Sequence, residues 1–259
     1  MRVFVEAVGV LAPGLNGWTE ARPVVAGERS LVPAPFTPGA PNCLPAAERR
    51  RCGATARLAL AVAEQAIERS SISACDMEMV FASYEAAGEV THQLCEILAG
   101  SREVSPTLFH NSVHNAPLGY LSIAVGAKRS GTSVCHGEWS FSTGLQYAAL
   151  QAACDMRPVL FACYDGPLPP PLCESMPMLE PTAIALVLSP EATGRSLASW
   201  ELARVDGSGR IEWPDWVPAA WHANASARGF AALAALIPSA ARSARLALSP
   251  EIDLEIRCL

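Results

Sequence analysis

The sequence predicts an α/β fold with a buried sheet, and three observations carry that expectation. Several short runs are continuously apolar, as in strands covered on both faces: "MEMVFASYE", "RPVLFACYDG" and "TAIALVLSP". Between them stand longer segments with helical spacing of their apolar residues, so strands and helices alternate along the chain. With 259 residues, 51% of them apolar and 17% charged, the chain can bury a sizeable core.

The elements follow in order. Residues 2–11 alternate as a strand, and the Gly- and Pro-rich stretch 12–45 reads as a long irregular connection. A connection that long is functional or covers a surface. "AAERRRCGATARLALAVAEQAIERS" reads as one helix of about six turns with Ala54, Leu58, Ala61, Val62 and Ala66 on one face. "MEMVFASYE" is a buried strand and "VTHQLCEILAG" a helix closed by Gly100. "TSVCHG" is the next strand, "FSTGLQYAALQAA" a helix and "RPVLFACYDG" a strand. After "TAIALVLSP" the pattern weakens, and 206–223 reads as an irregular excursion carrying Trp213, Trp216 and Trp221. The helix "NASARGFAALAALI" and the strands "ARLALS" and "DLEIRCL" finish the chain.

Composition narrows the function classes. A formal charge of −6 argues against nucleic acid or anionic membrane as the main target, because both reward clustered Lys and Arg. The nine cysteines lie in apolar stretches without a CxxC pair, which fits free thiols in the cytoplasm. No signal peptide or membrane span is expected. The apolar excess points to surface buried against a permanent partner.

"GTSVCHGEWSFSTG" places Cys135 beside His136 before a helical segment and so resembles a nucleophile with its base. Neighbours on a strand point to opposite faces, however, so these two cannot pair directly. His110 and His114 are four apart in "FHNSVHN", a spacing that on a helix brings them to one face. No third ligand lies near them, so packing or interface contacts are the expectation and no metal or cofactor is expected.

The segment "SPTLFHNSVHNAPLGYLSIAVGAKRSGTSVCHGEWSFSTGLQYAALQAA" resembles the N-terminal half of a β-ketoacyl synthase, a thiolase-fold condensing enzyme. "ERRRCGATARLALAVAEQAI" is similar to the earlier helix of that half, which in the family faces the carrier protein. The resemblance covers residues 1–190 and implies a single domain 1–259, with 191–259 a shortened, incomplete second half. In the family the nucleophile cysteine sits at the tight turn between strand and helix, where helix N-terminal N–H groups favour a thiolate. Counting from Gly126-Ala127, that elbow holds Glu138 here, and Cys135 falls inside the strand as a core thiol. Two histidines of the family's C-terminal half hold the malonyl thioester. Past residue 190 this chain has only His222.

These departures make it resemble a chain length factor, a non-catalytic partner of an active ketosynthase. The wording "FHNSVHNAP" is most similar to short ketosynthase-like proteins of bacterial aryl polyene pigment clusters. The resemblance implies an active ketosynthase as partner and an acyl carrier protein reached through the complex. It places Val113 as the tunnel-gating residue, with Phe109, Ser112, Leu118, Glu138 and Trp139 at the tunnel or interface and Arg50 and Arg51 at carrier docking. Glu138, if buried without a cation, would be held neutral. The rival readings are a small cysteine-dependent acyltransferase or hydrolase using Cys135, and a carrier-binding module with no tunnel role.

Overall fold

The computed structural model describes residues 1–237 and 243–259. Its strands are β1 (Arg2–Ala12), β2 (Leu15–Asn16), β3 (Glu78–Ala82), β4 (Gly131–Val134), β5 (Val159–Asp165), β6 (Thr182–Ser189), β7 (Ala198–Asp206), β8 (Ser243–Ala247) and β9 (Ile252–Cys258). They form one sheet in the order β4-β3-β5-β6-β1-β7-β9-β8, with β2 folded back on the end of β1. β3 runs parallel to both β4 and β5, and the remaining pairs are antiparallel. The helices are α1 (Trp18–Val25), α2 (Ala46–Arg51), α3 (Ala54–Arg69), α4 (Gly88–Ala99), α5 (Pro106–His110), α6 (Ala116–Ala124), α7 (Ser140–Asp155), α8 (Leu172–Ser175) and α9 (Gly229–Ala234).

The apolar strands are covered on both faces. Along β5, Val159, Phe161 and Cys163 join the core under α1, α7 and α9, while Leu160, Ala162 and Tyr164 join the core under α3 and α6. β6 divides in the same way, Ile184, Leu186 and Leu188 against Ala183, Ala185 and Val187. A period of two with both faces apolar produces the continuous hydrophobic runs seen in the sequence. Two glycines let the layers approach. A Cβ at Gly9 would lie 2.3 Å from the carbonyl oxygen of Val62 on α3, and one at Gly144 would lie 2.7 Å from Cε2 of Phe161.

Four expectations need correction. The long helix is two, α2 and α3, because Cys52 turns extended before Gly53; the Arg57 guanidinium then caps the freed carbonyl oxygens of Cys52, at 2.9 Å, and Arg49, at 3.3 Å. The segment 12–45 contains α1, whose Trp18, Ala21, Val24 and Val25 are buried although Pro23 lies within it. Strand β7 went unread because its exposed Glu201, Ala203 and Arg204 dilute the apolar signal of Trp200 and Leu202. Cys135 is not a core thiol: β4 ends at Val134 and Cys135 is exposed. Among the described residues no helix is long and apolar enough to cross a membrane.

Candidate functional site

β4 is an edge strand, with its outer side unpaired among the described residues. The chain leaves it through a tight turn and enters α7. Gly137 supplies the positive φ of +55° that the turn requires. Ser140 fastens it, its hydroxyl accepting from the His136 N–H at 2.9 Å and donating to the Gly137 carbonyl at 2.7 Å. Glu138 stands in this turn two residues before α7, at the elbow between strand and helix.

Its carboxylate is paired with the guanidinium of Arg228, which is only 5% exposed. The condition for a neutral Glu138 therefore fails: it has a cation, and its side chain is half-exposed. Burial lowers the pKa of Arg228, and the Glu138 carboxylate opposes that shift. Arg228 is placed by the turn Ser226–Arg228, which is anchored by Asp165 at the end of β5. That fully buried carboxylate accepts from the Ser226 N–H at 2.7 Å, the Tyr84 N–H at 2.8 Å and the Ser83 hydroxyl at 3.2 Å. Burial still raises its pKa, against the lowering effect of those donors. A cavity of about 580 Å³ opens beside the ion pair, lined by Tyr84, Glu138, Met176, Leu179, His222 and Arg228.

Cys135 and His136 are engaged separately. The thiol donates to the Tyr84 carbonyl at 3.2 Å, and His136 Nδ1 lies 2.9 Å from the Thr143 hydroxyl. His110 and His114 do not share a helix face, because α5 ends at His110. His110 packs edge-on against Tyr120, and burial lowers the pKa of His114.

The remaining expected site residues fall into four groups. Phe109, 65% exposed, lies in the last turn of α5, and Val113, 46% exposed, on the turn between α5 and α6, with the Ser112 hydroxyl donating to the Phe109 carbonyl at 2.8 Å. Leu118 is buried on α6 beneath β4, where its side chain fills the space that a Cβ on Gly131 would need. Trp139 follows Glu138 and packs edge-on against His136. Arg50 and Arg51 are exposed on α2, and Arg51 also reaches Glu48 at 3.2 Å. α2 and the Val113 turn are tied together by the Asn111 amide, which donates to the Arg51 carbonyl at 2.8 Å.

Arg228, Tyr84 and Asp165 were missed from sequence. Asp165 lies 61 residues from its Ser226 partner, and Arg228 lies 90 from Glu138. One signal was available: Arg228 is the lone charge in "NASARGFAALAALI", and a charge in an apolar helical segment needs a partner.

No functionally curated protein matches the chain in sequence. Solved structures resemble it over its whole length. A chain of the ketosynthase (ApeO) in complex with its chain length factor (ApeC) from Xenorhabdus doucetiae superposes with a TM-score of 0.72 at 22% identity, covering 99% of each chain. The ishigamide ketosynthase/chain length factor gives 0.73 at 13% identity over 100% of both chains. A type II polyketide synthase carrier protein in complex with its ketosynthase, AntDE:AntF, gives 0.61 at 16% identity, covering 80% of this chain and 70% of that one. The fold is thus the thiolase-like fold of ketosynthases, as the resemblance implied. Residues 22–249 match the family described as Beta-ketoacyl synthase, N-terminal domain, and the chain belongs to that family.

Proposed function

We propose that this chain is a non-catalytic ketosynthase-like subunit, a chain length factor. It pairs with an active β-ketoacyl-carrier protein synthase and shapes the end of its acyl tunnel in aryl polyene, polyketide or fatty-acid-like synthesis. The observation that carries the reading is the elbow. A carboxylate ion-paired to buried Arg228 stands in the turn between β4 and α7, which this reading takes as the turn where the family keeps a thiol, and a carboxylate held by a cation is a poor acyl acceptor.

The edge strand supports the pairing. An unpaired edge is a template for another strand. α6 and α7 pack on β4 and present apolar side chains to solvent, Ile123 at 82% exposure together with Tyr147 and Leu150. Phe109 and Val113 are further exposed apolar side chains, in keeping with the excess of apolar residues in the composition. In this reading the partner supplies the nucleophile and both histidines, and carrier protein meets the complex at Arg50 and Arg51. The matched complexes are of this kind: a ketosynthase with its chain length factor, and a carrier protein with its ketosynthase.

The test is co-expression with a candidate active ketosynthase, followed by sizing and intact mass after incubation with acyl-carrier protein. A one-to-one complex with acyl mass on the partner alone is the expected result. A stable acyl adduct on Cys135 of this chain, with turnover in the absence of any ketosynthase, would overturn the proposal in favour of a cysteine-dependent acyltransferase.

A further inference from the structure

The cavity beside the elbow has more polar capacity than the ion pair uses. Arg228 lines it and is only 5% exposed, yet Glu138 engages Nη2 alone, and Nε and Nη1 are buried without a hydrogen-bond partner among the described residues. His222 lines the same cavity, and its buried Nε2 is likewise unpartnered there. Its ring is fixed by Trp213, the two stacked with centroids 4.1 Å apart and planes 4° from parallel. Buried polar atoms are normally hydrogen-bonded, so two underused side chains on one cavity point to a ligand that brings oxygen acceptors.

The rest of the lining describes the other end of that ligand. Met176, Pro177 and Leu179, which follow α8, and Ala219, Ala220 and Ala223, the sequence neighbours of His222, give the cavity an apolar wall. Its volume of about 580 Å³ falls within the roughly 300–1,000 Å³ typical of small-ligand sites. A guanidinium keeps its charge when buried and is best met by a carboxylate or a phosphate. Apolar walls exclude the phosphate, whose charge is exposed on every side, and accept a carboxylate on a hydrocarbon body. Glu138 fills the carboxylate's role from a half-exposed position, so turning it out into water costs it little solvation.

We infer that this cavity binds a small monocarboxylate with a short apolar body, the ligand's carboxylate exchanging with Glu138 on Arg228 and its body resting on the wall that carries Met176 and Leu179. Glu138 is then a built-in competitor that keeps the buried guanidinium compensated between binding events. The site shares the ion pair with the role proposed above but needs neither the pairing nor the tunnel, and a test on the full chain alone lets the two fail separately.

The experiment is calorimetric titration of the full chain with hexanoate, against hexanamide, which keeps the body without the charge, and inorganic phosphate, which keeps the charge without the body. Hexanoate is expected to bind saturably and about tenfold or more tighter than either control. Glu138→Gln removes the competitor and is expected to tighten hexanoate binding about tenfold, whereas Arg228→Met is expected to erase the preference for hexanoate over hexanamide. No saturable binding of hexanoate, equal binding of either control, unchanged affinity in Glu138→Gln, or a preference that survives Arg228→Met overturns the site. Should a variant not fold, the wild-type comparison decides alone: about a tenfold preference for the acid over both controls supports the site, and equal binding or none overturns it.

Discussion

Arg228 depends on Glu138. Its Nε and Nη1 have no hydrogen-bond partner among the described residues, and Nη2 meets the elbow carboxylate. Removing one partner of a buried charged hydrogen bond leaves the other desolvated and unpaired. Glu138→Ala is expected to destabilise the chain by about 1–3 kcal/mol in chemical denaturation, with recovery in the double variant Glu138→Ala, Arg228→Met. Equal midpoints for wild type and Glu138→Ala would contradict this account of the pair. Glu85 gives a pH dependence. Burial raises its pKa to about 7, against the lowering effect of the Gly88 N–H, which donates to it at 2.5 Å. A carboxyl with a raised folded pKa retains a proton that the unfolded chain releases, so its contribution to stability falls as pH rises from the ordinary carboxyl range to about 7 and levels off above. Glu85→Gln is expected to flatten that slope, by about 3 kcal/mol across the window. An unchanged slope would remove Glu85 from the cause.

At the scale of elements, the strands buried on both faces were readable because their apolar runs are unbroken, and α7 because its spacing is regular. What failed to read was decided by contacts distant in sequence. α1 looks like loop until Trp18 and Val24 are seen in the core, and the split of α2 from α3 relies on Arg57 capping carbonyls that sequence spacing does not reveal. Glu138 lies in the turn between β4 and α7, but its partner Arg228 could not be read, because no local pattern links the two. Close layer approach gives a prediction here. Gly144→Ala puts a methyl against Phe161 and Ala82, and overpacking of this kind costs about 1–3 kcal/mol. Thermal denaturation checks it, and a midpoint equal to wild type would mean that α7 shifts away from the sheet without cost.

The whole molecule presents two faces that bear on pairing: the β4 edge with its apolar flanks, and the turn that carries Val113. Ile123→Asp and Leu150→Asp, both at exposed positions, are expected to weaken pairing with the ketosynthase while leaving the stability of the chain within about 0.5 kcal/mol. Unaltered affinity in a titration would move the interface elsewhere. In the proposed role, the side chain at position 113 would limit how long a chain the partner can build, because one further extension would overpack the tunnel end. The most direct measurement is the product distribution of the reconstituted pair carrying Val113→Ala or Val113→Phe. The account predicts longer products with alanine and shorter ones with phenylalanine, at similar levels of complex. Identical distributions for wild type and both variants would contradict it.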